Sequence, residues 1–178
     1  MIVLYRLYDN SHHYENKKAE GEMDLEIRWH KAFDLKESKK SEFIYEVNDF
    51  EAIPNSPGIY YFARAYADSI SPLYIGQAIN LQQRVKQQLN SLKLMRGIQH
   101  APSGDRLLFV AEFIPKPGQS TKKALSVIES ALISTALVEG FELINVHGKK
   151  KEAHSIASRG NLEARSWLPE NVIRLRRA

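Results

Sequence analysis

One short stretch, Pro54-Asn55-Ser56-Pro57-Gly58, constrains this chain more than any other. Two prolines and a glycine so close together cannot sit inside a helix or a central strand, so an element boundary must fall there. The same point divides the charge. Residues 1–54 carry 8 Lys/Arg against 12 Asp/Glu, a balance of −4, whereas residues 55–178 carry 17 against 9, a balance of +8. The basic part suits a polyanion such as nucleic acid, and it also suits a solvated surface with a basic tail.

Length and composition close off several classes. A chain of 178 residues has room for one domain with appendages, and 43% hydrophobic residues can fill a core. No apolar run reaches the roughly 18 residues a membrane span needs, and the first residues are too short and polar for a secretory leader. With no cysteine there is no disulfide framework, zinc ribbon or thiol nucleophile. The expectation is a soluble, cytoplasmic protein without a membrane partner.

Before the breaker lies an N-terminal extension, residues 1–53. It opens on the strand-like Ile2 to Tyr8, passes through a polar stretch with His12 and His13, and reaches Met23–Phe33, whose periodicity is indecisive. After the breaker the signals sharpen. Ile59–Ala63 and Leu73–Gly76 read as strands joined by a polar turn near Asp68 and Ser69. Asn80 caps a predicted helix reaching about Met95, with Leu81, Val85, Leu89 and Leu92 on one face. Leu107–Ile114 reads as a strand, and Ser120 or Thr121 starts a helix to about Val138. The order β-β-α-β-α describes a small α/β (α+β) domain over residues 54–147, followed by a basic extension over 148–178.

Two charged residues stand out on physical grounds. Glu129 shares its helix face with Leu125, Leu132, Ile133 and Ala136, and the opposite side is apolar as well. An ionised carboxylate there costs several kcal/mol unless a metal ion, an Arg or a hydrogen-bonding Tyr meets it, or unless it sits at a wet edge. Arg84 lies about one turn into the Asn80 helix, where the dipole disfavours a cation and a bound phosphate would reverse the balance. An exposed surface arginine fits that position equally.

These residues fall into a known pattern. Gly58-Ile59-Tyr60 followed by Tyr74-Ile75-Gly76 resembles the GIY-YIG nuclease family. Arg84 within Asn80-Leu81-Gln82-Gln83-Arg84 is similar to that family's helix arginine, Glu129 within Ile128 to Ile133 to its helix glutamate, and Asn145 to its C-terminal asparagine. The resemblance covers about half the chain. It implies a small three-stranded antiparallel sheet flanked by helices, and DNA cleavage with one divalent metal ion, Mg²⁺ or Mn²⁺. A departure occurs one helical turn after the arginine, where histidine is frequent in the family and this chain has Gln88.

What the resemblance implies for each residue can be stated chemically. Glu129 would hold the metal, which neutralises phosphate charge and assists the leaving oxygen. Arg84 would stabilise charge developing on the scissile phosphate. Tyr60 would be the general base, which requires its pKa to fall below the usual ~10 under the influence of Arg84 and the cation. Tyr74 would hydrogen-bond to Tyr60 or to the attacking water, directly opposed to Tyr60 if the hairpin folds about Ala67. Gly76 would allow close approach of substrate, Gln88 would stand where a phosphate contact is expected, and Asn145 would orient the surrounding groups. Lys149, Lys150 and Lys151 could touch phosphates.

With no zinc-binding cysteines and only a short C-terminal segment, the chain looks most like the small stand-alone restriction endonucleases of that family. A repair or mobile-element nuclease and a catalytically silent nucleic-acid-binding module are the alternatives. The substrate implied is double-stranded DNA. Cutting both strands at a symmetric site calls for two protomers or two visits, so residues 1–53, with Trp29, Phe33, Phe43, Ile44 and Tyr45, would either pack on the domain or help form a homodimer.

Overall fold

The computed structural model describes residues 23–38, 44–145, 154–168 and 171–174; the side chains of residues 154–157 and 171–174 are outside the description. The expected elements of the middle region are present. They are β4 (Gly58–Tyr66), β5 (Ser69–Ala78), α1 (Leu81–Leu89), α2 (Leu92–Gln99), β6 (Asp105–Ile114) and α3 (Thr121–Val138). Before them come β1 (Asp24–Trp29), β2 (Phe33–Glu37) and β3 (Tyr45–Val47). After them come β7 (His154–Gly160) and β8 (Asn171–Arg174).

The sheet is wider than the three strands the sequence reading expects, and it is mixed rather than antiparallel. β4 pairs antiparallel with both β5 and β6, which reproduces the expected unit. That unit leaves the second edge of β6 open, and the N-terminal segment fills it. β1 pairs antiparallel with β6 at Ala111–Ile114, and β2 pairs with the same strand at Leu107 and Leu108. Between them the His30 amide donates to the Val110 carbonyl, so one edge of β6 is covered in two consecutive runs. β1 then takes β7 as a parallel neighbour, β7 takes β8, and β3 adds to β2. The physical reason is pairing: an open central edge would leave a row of backbone donors and acceptors unpartnered. β1 also has the alternation such a strand needs, with Leu25, Ile27 and Trp29 buried and Arg28 exposed.

Two further expectations shift. The helix predicted from Asn80 to about Met95 is two helices. Asn80 caps α1 by accepting from the Gln83 amide, but Ser91 caps a new helix by accepting from the Leu94 amide. Leu92, expected on the buried face, is consequently exposed. The β4–β5 hairpin turns through Ala67 and Asp68, between the paired Tyr66 and Ser69, rather than about Ala67 alone, and Ala67 adopts a positive φ of 49°. In addition, Leu73 is an extra residue on β5, a bulge between the pairs Phe62–Tyr74 and Ala63–Pro72. Pro72 has no N–H to give the ladder, and an edge strand with a bulge is where such a residue fits.

Helices cover both sheet faces. Alternation sends Tyr60 and Phe62 of β4 to one face, where they pack with Leu81 and Val85 of α1 and Leu94, Met95 and Ile98 of α2. Ile59 and Tyr61 go to the other face, against α3 and Trp29. α3 is buried nearly all round, as its sequence indicates. Residues 24–38 and 44–53 join these cores through Leu25, Ile27, Trp29, Leu35, Tyr45 and Ile53.

Candidate active site

The turn centred between Ala67 and Asp68 and the bulge at Leu73 each shift by one residue the register that positions the two signature tyrosines. Tyr60 is opposite Gly76, not Tyr74, and Tyr74 is opposite Phe62. The tyrosines still share a face as diagonal neighbours, with ring centroids 6.1 Å apart and planes inclined by 24°. Gly76 is what makes room for this. A Cβ there would lie 2.5 Å from both Cζ and the hydroxyl oxygen of Tyr60, so the close approach it permits is made by Tyr60 itself. Gly58 has a parallel requirement, because a Cβ there would strike the Ala111 carbonyl across the β4–β6 ladder. Both signature glycines thus answer to a steric demand.

Around Tyr60 the polar groups connect. The Tyr74 ring stacks beside Tyr60, and the Gln88 amide donates to the Tyr74 hydroxyl at 3.5 Å. Gln88 therefore reaches the tyrosine pair from α1. Burial pushes the Tyr60 phenol well above its ordinary range, and Tyr74 adds to the rise. Gln88 and Arg84 oppose it only in part. Arg84 thus acts on Tyr60 in the expected direction, downward, and burial with Tyr74 outweighs it.

Glu129 lies on α3, half-buried, on the other face of the sheet. Its partner is a residue the sequence reading did not single out. Gln77 Nε2 donates to Glu129 Oε2 at 3.0 Å, from the position on β5 next to Gly76. A signal for it existed: Gln77 alternates with Ile75, which places a lone amide on the apolar face that must meet α3. Burial raises the Glu129 pKa, and the Gln77 hydrogen bonds and the Arg84 charge pull it partly back. Arg84 is exposed on α1 and acts electrostatically on both Tyr60 and Glu129. The candidate residues therefore straddle β5, whose only strand partner among the described residues is β4, with Tyr60, Tyr74 and Gln88 on one side and Glu129 on the other.

Asn145 is at the free edge of β5. Its Oδ1 accepts from the Ile75 amide at 3.3 Å, and its Nδ2 donates to the Ile75 carbonyl at 2.7 Å. One residue earlier, the Ile144 amide donates to the Leu73 carbonyl at 2.7 Å. This segment does for the edge what a further strand would do, and it occupies both ends of the Asn145 amide. Asn145 supports the strand that carries Tyr74 and Gly76.

A hard divalent cation has one carboxylate available here. No group of three or more His, Cys, Asp or Glu side chains converges among the described residues. The donor chemistry at Glu129 still fits Mg²⁺ or Mn²⁺: it is a carboxylate oxygen, partly desolvated, whose charge is met only by a neutral amide and by Arg84. Lys149, Lys150 and Lys151, like Ile2–Tyr8, His12, His13 and Phe43, lie outside the described residues. No helix among the described residues is long and apolar enough to cross a membrane. No family model, curated protein or solved structure matches the chain.

Proposed function

We propose that this protein is a metal-dependent endonuclease that hydrolyses DNA phosphodiester bonds, with a restriction or defence role. The supporting observation is convergence. Tyr60, Tyr74, Arg84, Gln88 and Glu129 come from two strands and two helices and flank one stretch of β5: Tyr60 abuts Gly76, Gln88 reaches Tyr74, Glu129 is held by Gln77, and the one exposed cation among them acts on both Tyr60 and Glu129.

Glu129 would hold the Mg²⁺ or Mn²⁺, which when bound supplies charge neutralisation at the phosphate. The chain's own residues then divide the remaining work. Arg84, free to extend from α1, places a guanidinium against the phosphate oxygens and stabilises charge growing there. The Tyr60 hydroxyl, neutral and beside Tyr74 and Gln88, orients the attacking water by hydrogen bonding. The phenol keeps its own proton, and the proton lost by the attacking water passes to solvent. Gln77 fixes the rotamer of Glu129 without adding charge. Asn145 keeps β5 straight at the substrate edge by pairing with Ile75.

The deep burial of Tyr60 favours one competing reading, a nucleic-acid-binding module that no longer cuts. A single experiment separates the two. Plasmid is incubated with the protein, with and without Mg²⁺ or Mn²⁺, beside Glu129→Ala. Metal-dependent cutting by the wild type alone supports the nuclease, and discrete bands support restriction. Duplex binding within about tenfold of wild type by Glu129→Ala, about 1.4 kcal/mol, separates chemistry from affinity. Metal-dependent cutting retained by Glu129→Ala would sink the metal-ligand assignment.

A further inference from the structure

Residues 69–104 contain no Asp or Glu, although about four would be expected there at the chain's overall acidic content of 21 in 178. That stretch folds into β5, α1 and α2. Both helices bury their apolar residues against the same sheet face, so their outward sides look away from the sheet together. The second N-cap at Ser91 decides what α2 shows. With Leu94, Met95 and Ile98 buried, Lys93 and Arg96 are turned outward, beside the exposed Gln99. α1 adds exposed Gln83 and Gln87. Arg84, Lys93 and Arg96 have no ion-pair partner among the described residues. Lys86 differs, because it lines a groove of about 330 Å³ together with Glu46 and Glu51.

This face borders the candidate site on two sides. α1 carries Arg84 and Gln88 into it. α2 touches it through Gly97, where a Cβ would come within 3.0 Å of Ile144 Cδ1, and Ile144 precedes Asn145. The helices themselves contribute cations and amides but no carboxylate, and Glu46 and Glu51 approach only the Gln82 and Lys86 side of α1, so the side with Arg84, Lys93 and Arg96 offers phosphate donors. The N-terminal strands make the contrast, since Glu26, Asp34, Glu37 and Glu46 lie there.

We infer that the outer face of α1 and α2 is the track for the phosphate backbone of a DNA duplex, with Lys93 and Arg96 as its principal cationic contacts. The choice of DNA as the polyanion rests on the endonuclease reading. The glutamines add hydrogen bonds to phosphate and position the strand at Arg84.

The test is a salt titration of binding, using the full chain and a fluorescent 20-base-pair duplex without divalent metal. The variants are Lys93→Gln with Arg96→Gln, and a control that removes equal charge at the exposed start of α3, Lys122→Gln with Lys123→Gln. The first pair should weaken binding at least about tenfold and reduce the slope of log affinity against log salt by about one to two. The control should stay within about twofold of wild type. Equal losses in both pairs, or no loss in either, overturn the track. So does binding to phosphatidylserine vesicles, but not to duplex, that depends on Lys93 and Arg96. Parallel cleavage assays keep the two ideas apart. A protein that binds duplex through this pair but cuts nothing retains the track and loses the nuclease. A protein that cuts while the Lys93/Arg96 variant binds like wild type loses the track alone.

Discussion

Tyr60 and Tyr61 are adjacent in sequence and both are buried, yet they open onto regions built to different specifications. On the α3 side Tyr61 is clamped. Its hydroxyl donates to the Ala164 carbonyl at 2.5 Å, its ring stacks on Phe109 with centroids 4.7 Å apart, and Trp29 and Trp167 meet it edge-on. On the α1 side Tyr60 meets another phenol, an amide and the field of an exposed arginine. Burial raises both phenols. The difference is in their company: the Tyr61 hydroxyl is bonded to a backbone carbonyl among packed rings, whereas Tyr60 sits beside the half-buried Tyr74 and Gln88 and an exposed arginine. A buried tyrosine is informative only once the partners of its hydroxyl are known.

The largest expected effect tests the clamped side. Tyr61→Ala should cost about 3–5 kcal/mol in urea unfolding, the usual scale for truncating a large buried aromatic. A cost under about 1 kcal/mol would mean that this face does not anchor the fold. Glu129→Gln comes next and acts on the other region. Turnover should fall at least about 100-fold, roughly 2.7 kcal/mol of barrier. Stability should move the opposite way. The folded pKa of Glu129 is raised above its ordinary 4.5, so its contribution is full below that pH and is lost as pH rises through the folded value. The variant should therefore unfold at higher denaturant than wild type at pH 7, with the gap closing at pH 4; a variant less stable at pH 7 would contradict a strained, desolvated carboxylate.

Removing single hydroxyls sharpens the comparison further. Tyr61→Phe should lose about 1–2 kcal/mol of stability by stranding the buried Ala164 carbonyl, with turnover per folded molecule unchanged. Tyr60→Phe should do the reverse, cutting turnover at least about tenfold while its unfolding midpoint stays near wild type. Matching profiles for the two variants would erase the distinction.

The smallest effect lies at the breaker. The Ser56 hydroxyl donates to Glu112 Oε1 at 2.7 Å, and His30 Nε2 lies 2.8 Å from Oε2 of the same carboxylate. The Ser56 hydrogen bond is the first cause holding Glu112 below its ordinary 4.5, ahead of His30 and Arg28. A depressed folded pKa contributes stability above 4.5 that is lost as pH falls through the folded value. Ser56→Ala should raise the Glu112 titration midpoint, read by NMR, and the small stability deficit of the variant at pH 6 should disappear as pH drops below 4. An unmoved midpoint would transfer the effect to His30 and Arg28.

Local elements were legible in the sequence because their causes are local. β4, β5 and α3 are apolar runs bounded by Pro, Gly and a cap residue, and they appear within a few residues of their expected limits. What failed depends on distant partners or on a single interruption. The width of the sheet was hidden because Leu25, Ile27 and Trp29 find their neighbours on β6 and β7, far along the chain. The tyrosine register was missed by two residues, one from a turn centred between Ala67 and Asp68 and one from the bulge residue Leu73. The helix break needed Ser91 to be weighed as a cap rather than as one polar position in a longer helix. Glu129 was recognisable as a stranded acid. Its partner was not, since the reading sought a charge or a phenol and the fold supplied Gln77.

The position of β1 has a consequence for how the protein is made. Trp29 Nε1 donates to Ser158 Oγ at 2.8 Å, across a separation of 129 residues, and β1 is enclosed only when β6 and β7 lie on either side. During synthesis the β4–β5 hairpin and α1 can form from neighbours already in hand. The N-terminal strand must wait for nearly the whole chain. Such long-range closure slows folding. It also means that a ribosome-bound intermediate can display most of the candidate residues while the strand beside β6 is still unclaimed.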